Sequence, residues 1–430
     1  MPADASKIMT GNPATTRGVT SGENDYRLKR VTIDDIFAVG ADSAFFSYMC
    51  DANARRMGTK GVSQTIKQMN YNILEDTYLP HRIQVNNSSG YNDKATAIVV
   101  DMGKIFRPQT VVKNERSGEQ MLVRSVSGNT VTFIRGYGTT AAAAINDNDT
   151  LRILSTALSE TSKPLESIQT RVTRRENMMQ LYAEPIDLSK LRDHTSEYGA
   201  KEQLRQENNT RWNFFRSLEL SFLFSEMLDD RQGASDVKDS ALKDRRCLTG
   251  GFTWYLQQFA SQNIHDFNGH MSWNDFVEIL YDLNKDKPTG GKKRPSHSKT
   301  AQKKNYSKHR MVALCGHKTA MAFSKLIERS LQTKMMEHEY GFVVDRARTP
   351  FGSVDLYWHR WMDGPYEDNI LLVEPSRIFA KTHEGFDFGI ENVTNPDEPR
   401  RIKRELSCIK GFGMANPEFH GWIRGVQSIS

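Results

Sequence analysis

Residues 118–143 read GEQMLVRSVSGNTVTFIRGYGTTAAA, and their pattern decides what kind of fold this chain adopts. Met121-Leu122-Val123-Arg124-Ser125-Val126 and Thr130-Val131-Thr132-Phe133-Ile134 are short runs rich in β-branched and apolar residues, which pack well on a pleated surface. Between them, Ser127-Gly128-Asn129 has the chemistry of a tight hairpin turn. Similar runs lie on either side, at Ala97-Ile98-Val99-Val100 and Gln109-Thr110-Val111-Val112, and the pattern closes near Leu151-Arg152-Ile153-Leu154. A small β module over 93–157 is predicted.

Beyond this module the period changes. From Glu197 to Asp229 there is no proline and a single glycine, Gly199, while Trp212, Phe215, Leu218 and Phe222 recur at spacings of three and four. That spacing predicts a long amphipathic helix, roughly 45 Å at about 1.5 Å per residue, with this stripe packed on a β layer. Arg171 to Leu188 reads as extended, since Pro164 and Pro185 discourage helix. Val62 to Leu79 reads as helical. Towards the C-terminus, helices are predicted over Phe252–Gln262, Trp273–Leu283 and Lys318–Glu337, and strands over 341–344, 353–358 and 370–373. The class is therefore α+β. Residues 1–30, rich in Gly, Ser, Thr, Asn and Ala, read as an arm that only a neighbouring surface could order.

With 430 residues, 38% hydrophobic and 26% charged, the chain is ordinary globular material. Cys50, Cys247, Cys315 and Cys408 are too scattered for a zinc ribbon or a disulfide scaffold. No run approaches the roughly 18 apolar residues of a membrane span, and Met1-Pro2-Ala3-Asp4-Ala5 lacks the features of a signal peptide, so no membrane partner is expected. The net charge of +6 is concentrated. Between Asn284 and Arg310 ten basic residues, among them Lys292, Lys293, Arg294, Lys299, Lys303, Lys304 and Lys308, face the single acid Asp286. With little apolar content and only Tyr306 as an aromatic, this stretch reads as an exposed cationic loop that attracts phosphates, a candidate DNA-facing segment.

Catalytic constellations are missing from the sequence. Gly103-Lys104 and Gly291-Lys292 lack the rest of a Walker loop, and Arg135-Gly136-Tyr137-Gly138 holds half of a dinucleotide fingerprint without opening a helix. Eleven histidines form no metal pattern; Cys315-Gly316-His317 is the nearest approach and supplies too few ligands for zinc. No nucleophile elbow occurs, and acid pairs such as Asp229-Asp230 and Asp147/Asp149 read as solvated charge. Trp358-His359-Arg360-Trp361 could stack on a base, but at a strand end it reads better as core or interface. No enzyme, cofactor or metal is predicted. A sequence-independent nucleic-acid-binding protein acting through 285–310 is the alternative reading, and a carboxylate nuclease finds no motif.

Several segments, in order, resemble one group of tailed-phage major capsid proteins with the Hong Kong 97-type fold. Asn72-Ile73-Leu74-Glu75-Asp76-Thr77-Tyr78-Leu79-Pro80 looks like the segment before that group's β insertion, and Arg135-Gly136-Tyr137-Gly138-Thr139-Thr140-Ala141-Ala142-Ala143 is close to its "RGYGGTTAAA" pattern. Thr170–Leu188 resembles the returning strand of the extension loop. Cys247-Leu248-Thr249-Gly250-Gly251-Phe252 resembles the "TMGGL" turn, Thr349-Pro350-Phe351-Gly352 the "TPFG" turn, and Asn416-Pro417-Glu418-Phe419-His420-Gly421-Trp422-Ile423-Arg424-Gly425 the closing "NPEAHGLIKG". Two departures stand out: Gly138-Thr139-Thr140 replaces a pair of glycines, and the basic segment has no counterpart in the pattern.

The resemblance implies an N-terminal arm over 1–60, an extension loop over 61–92 and 158–192 carrying the β module of 93–157, and a P domain over 193–430. The P domain would hold a spine helix at 197–229 and be interleaved with an A domain within about 260–400. It further implies self-assembly as pentamers and hexamers into an icosahedral head in the host cytoplasm, with scaffold, portal and decoration proteins as partners and double-stranded DNA inside. Arg171, Arg174, Arg175, Met178 and Tyr182 are then the expected intersubunit contacts.

Overall fold

The computed structural model describes residues 44–58, 65–76, 79–158, 160, 165, 167–170, 172–193, 202–229, 246–285, 310–330, 334–339, 342–349, 351–394 and 400–429. The chain divides into two compact units, one formed by the stretch before Leu74 together with Arg175–Ser430, the other by Leu74–Arg174.

The second unit is built on a six-stranded antiparallel sheet in the order Arg82–Gln84, Thr150–Thr156, Thr110–Asn114, Gln120–Ser127, Thr130–Ile134, Ala97–Val99. Its alternate side chains, including Ile83, Ile98, Val112, Met121, Val123, Val131, Phe133 and Leu151, make one apolar cluster. Ser127 pairs with Thr130 across a two-residue turn in which Gly128 takes φ +60°, a conformation glycine reaches without strain. The sheet starts eleven residues before the predicted limit of 93, because the short Arg82–Gln84 strand finds its partner at 150–152, too far away for local patterning to show.

In the first unit, a seven-stranded mixed sheet runs Ile264–Met271, Gly421–Ile429, Ile370–Val373, Arg310–Cys315, Gly352–Trp358, Phe342–Thr349, Lys334–Glu339. Its centre is covered on both faces. Met311, Ala313, Cys315, Ile370 and Leu372 pack with Phe276, Ile279, Leu280, Leu283 and Phe323 of helices Trp273–Lys285 and His317–Ser330. The intervening Val312, Leu314, Leu371 and Val373 enter the larger core with Phe46, Phe214, Phe222, Phe252 and Phe412. Burial on both sides explains why Ile370-Leu371-Leu372-Val373 is apolar throughout rather than alternating. A five-stranded sheet of Thr65–Ile66, Ile378–His383, Arg401–Met414 and Gln180–Ser189, with Gly389–Asn392 also on Arg401–Met414, carries the long helix Glu202–Phe224. At about 1.5 Å per residue that helix spans roughly 35 Å.

Local patterning misled in four places. The long helix predicted over 197–229 ends at Phe224, because Leu228–Asp229 pairs as a strand with Cys247–Leu248. The described residues of the predicted Val62 to Leu79 helix are not helical: Thr65–Ile66 and Asn70–Glu75 are strands, and Tyr71, Ile73 and Glu75 are buried while Asn70, Asn72 and Leu74 are exposed, a period of two. The helix predicted over Lys318–Glu337 ends at Ser330, and Lys334–Glu339 forms a hairpin with Phe342–Thr349. Helical propensity there yields to a strand partner. Within 1–60, residues 1–43 lie outside the described residues, whereas Phe45–Gly58 is a helix whose Phe45, Phe46, Met49 and Cys50 are fully covered. That stretch belongs to the core rather than to a reaching arm.

Candidate assembly surfaces

Among the described residues, strand Gln180–Ser189 pairs on one side only, with Arg401–Met414, and is the edge of its sheet. Alternation sends Tyr182, Ile186 and Leu188 inward, against the long helix. Tyr182 is 6.3 Å from Phe214, ring to ring, and its hydroxyl donates to Ser221 Oγ at 2.7 Å. Burial pushes the Tyr182 hydroxyl pKa far up, so it stays a donor. On the helix, the inward stripe is Phe214, Leu218 and Phe222, spaced by four. Of the predicted stripe, Leu218 and Phe222 are buried and Trp212 is half-buried, whereas Phe215 lies at the rim, 36% exposed, stacked on Phe388 at 5.1 Å. Two adjacent phenylalanines fit the spacing equally well, so the sequence could not choose between Phe214 and Phe215.

The predicted intersubunit residues separate. Arg171 lies outside the described residues, and Arg174 is exposed. Arg175 bonds Glu418 Oε1 at 2.7 Å through Nη2 and lies 4.5 Å above the Phe259 ring. Met178 and Tyr182 are each 5% exposed and packed within their own subunit, so they have little surface left for a neighbour. Beside them, the buried Asn177 accepts the Met178 and Gly250 N–H groups and donates to the Gly250 and Phe412 carbonyls. The predicted DNA-facing residues Lys292, Lys293, Arg294, Lys299, Lys303, Lys304 and Lys308 all lie outside the described residues.

Exposed apolar side chains that the sequence reading passed over lie on and beside the same sheet. Leu181 is 59% exposed and pairs with Ile409, whose N–H donates to the Phe386 carbonyl; the Phe386 side chain is 48% exposed. The only signal in the sequence was Gly385-Phe386-Asp387-Phe388-Gly389, two aromatics set between glycines. Leu181 on the edge strand and Phe386 beyond the neighbouring strand are exposed apolar side chains of the kind that suits an interface.

In the Leu74–Arg174 unit, the RGYG motif serves as a clasp. Arg135 forks onto Glu119, Nε to Oε1 and Nη2 to Oε2, both at 2.8 Å, and donates to the Ala95 carbonyl at 2.7 Å. The same carboxylate accepts the Gly136 and Ala143 N–H groups, at 3.0 and 3.1 Å. One buried acid thus ties both ends of the loop 136–143 and leaves Tyr137 through Ala141 exposed. Burial alone would raise the Glu119 carboxyl pKa, but the bonds from Arg135, Ala143 and Gly136 and the guanidinium charge outweigh it and hold the acid below its usual range.

Within Trp358-His359-Arg360-Trp361, Trp358 is 55% exposed while His359 is wholly buried, its Nε2 at 2.7 Å from Glu219 Oε1. Arg216 and Arg360 flank the Trp361 ring at 5.8 and 5.9 Å. Among the described residues no three His, Cys, Asp or Glu side chains gather as a metal site, and no helix is long and apolar enough to cross a membrane.

The sequence model of the SU10 major capsid protein family matches residues 33–427. Among solved structures, the chain is similar to the capsid of the native GTA particle at 11% identity over 95% of this chain and 98% of that one, with a TM-score of 0.43. It is likewise similar to a chain of Mycobacterium phage Bobi, at 10% identity over 96% and 99% and a TM-score of 0.41. For a chain of Microbacterium phage Oxtober96 the values are 9% identity, 97% and 100% coverage and a TM-score of 0.42. No curated protein sequence matches.

Proposed function

The chain belongs to the SU10 major capsid protein family, and on that premise we propose that its copies assemble as pentamers and hexamers of Hong Kong 97-type subunits into an icosahedral head around double-stranded DNA. Its function is that of a major capsid protein, a component of the virion shell. One observation carries this reading: the family match over residues 33–427 takes in the whole of the Leu74–Arg174 unit and most of the other.

The geometry supports work through surfaces. The edge strand Gln180–Ser189, the exposed Leu181 and Phe386, and the clasped loop 136–143 offer contact area that the subunit itself does not cover. A closed ring needs two different surfaces to meet between neighbours, and separate patches of this kind provide them. In this proposal 61–92 and 158–192 form the extension loop, residues within about 260–400 gather around the fivefold and quasi-sixfold axes, and Arg171 and Arg174 touch a neighbour. Scaffold, portal and decoration proteins would act during assembly in the host cytoplasm.

The basic residues Lys292, Lys293, Arg294, Lys299, Lys303, Lys304 and Lys308 are proposed to meet packaged DNA through phosphates, without reading sequence. Electron microscopy of the expressed protein, alone and with its scaffold, tests the assembly reading. Closed shells with fivefold vertices are expected; monomers under every condition would overturn it.

A further inference from the structure

The first amide N–H groups of an α-helix have no acceptor within the helix, and a nearby side chain commonly supplies one. For the helix Phe45–Gly58 the acceptor comes from the middle of the long helix. The Phe46 N–H donates to Glu219 Oε1 and the Ser47 N–H to Oε2, both at 2.7 Å. His359 Nε2 lies 2.7 Å from Oε1. Phe46, Glu219 and His359 are fully buried and Ser47 is 1% exposed, so water cannot replace any of these bonds. His359 Nδ1 has no hydrogen-bond partner among the described residues, so the ring meets the carboxylate through an Nε2–H.

The other ionisable groups nearby are accounted for. On the helix itself, Asp51 is paired with Lys410 of strand Arg401–Met414 at 2.8 Å. The Cys50 thiol is pushed up by burial, and further by Asp51 and Glu219 against a smaller opposing effect of Lys410, so it stays neutral. From the strand Gly352–Trp358, Tyr357 presents its ring face to Phe45 at 4.0 Å. Glu219 is therefore the group that binds the amides of the first turn, and its charge is what makes those bonds strong.

We propose that Glu219, steadied by His359, is a catch that holds the helix Phe45–Gly58 on the subunit body, and that without its two amide bonds the helix opens as a unit. The helix contributes no strand to any sheet; its hold includes the catch, the Asp51–Lys410 pair, the Asn53 bond to the Pro375 carbonyl and the packing of Phe45, Phe46, Met49, Cys50 and Ala54. Such an element can open while the sheets remain folded. This holds for the subunit whatever shell it builds, and its test does not depend on assembly.

Hydrogen exchange read by mass spectrometry on the full-length chain tests it. In E219Q the side chain keeps one acceptor oxygen and turns an NH2 group toward a backbone N–H. Exchange within 45–58 should then rise roughly 10- to 100-fold, as befits lost charge-assisted bonds, while 311–315 and 370–373 stay protected. H359Q should give a smaller rise, because both amide bonds to Glu219 survive. If E219Q does not fold, E219D, which keeps the acid but draws it back by one methylene, should loosen 45–58 while 311–315 and 370–373 stay protected. Unchanged protection of 45–58 in E219Q, or loss of protection that spreads equally to 311–315 and 370–373, would overturn the proposal.

Discussion

Replacing Arg135 by alanine probes the clasp in the Leu74–Arg174 unit. Glu119 is fully buried and the Arg135 side chain is 6% exposed. The substitution removes both arms of the fork and leaves the carboxylate in the dry interior with only the Gly136 and Ala143 N–H groups as donors. Breaking a buried pair from one side costs about 3–5 kcal/mol. At about 1.4 kcal/mol per factor of ten, the open population of 119–143 rises by two to three orders of magnitude or more. Lysine keeps the charge but not the fork, so R135K should fall between alanine and the wild type. Hydrogen exchange over 119–143, with chymotryptic cleavage at the exposed Tyr137 as a second readout, measures the effect. The acid response has a definite sign. Because the folded state holds the Glu119 carboxyl below its ordinary value of 4.5, the stabilisation is complete above that value and fades as pH falls through the lower folded one. The gap between R135A and wild type should therefore be full at neutral pH and shrink only in strong acid. Equal exchange and cleavage in R135A and wild type at neutral pH would show that the fork does not hold the loop.

Phe222→Ala empties a fully buried site and should cost about 3–5 kcal/mol in guanidinium unfolding, whereas Phe215→Ala at the rim should cost under about 1.5 kcal/mol. Equal midpoint shifts for the two would contradict the placement of the inward stripe. Leu181→Asp and Phe386→Asp should leave circular dichroism and unfolding midpoint close to wild type while sharply reducing the yield of closed particles; normal particle yield would remove these two residues from the assembly surface. Gly251→Ala should destabilise strongly, since a Cβ there would meet the Ser221 carbonyl oxygen at 2.7 Å and that of Phe222 at 3.0 Å, both backbone atoms of the long helix. A soluble Gly251→Ala protein with unchanged unfolding would show that the contact relaxes easily.

Much of this protein was legible before any coordinates. The β runs around Ser127-Gly128-Asn129, the long amphipathic helix and the apolar strand Ile370-Leu371-Leu372-Val373 follow from spacing, turn chemistry and branching at Cβ, which act over a few residues. The ordered motifs from Asn72 to Gly425 pointed to the capsid family, which the match over 33–427 establishes. The sequence could not show which of Phe214 and Phe215 turns inward, because adjacent helical positions differ by only about 100° and the strand beneath makes the choice.

Tertiary structure alone decided the features that join distant segments. Phe45–Gly58 is anchored by Glu219 from 172 and 173 residues away. Tyr182, read as a contact for a neighbour, is taken up by Ser221 of its own long helix. Arg135-Gly136-Tyr137-Gly138, half of a nucleotide fingerprint on paper, is a clasp because folding brings Glu119 against it. The physical reason is common to all three. Local sequence sets backbone preference and the direction of side chains, but a buried charge or ring takes its role from the partner that replaces water around it, and chain closure supplies that partner.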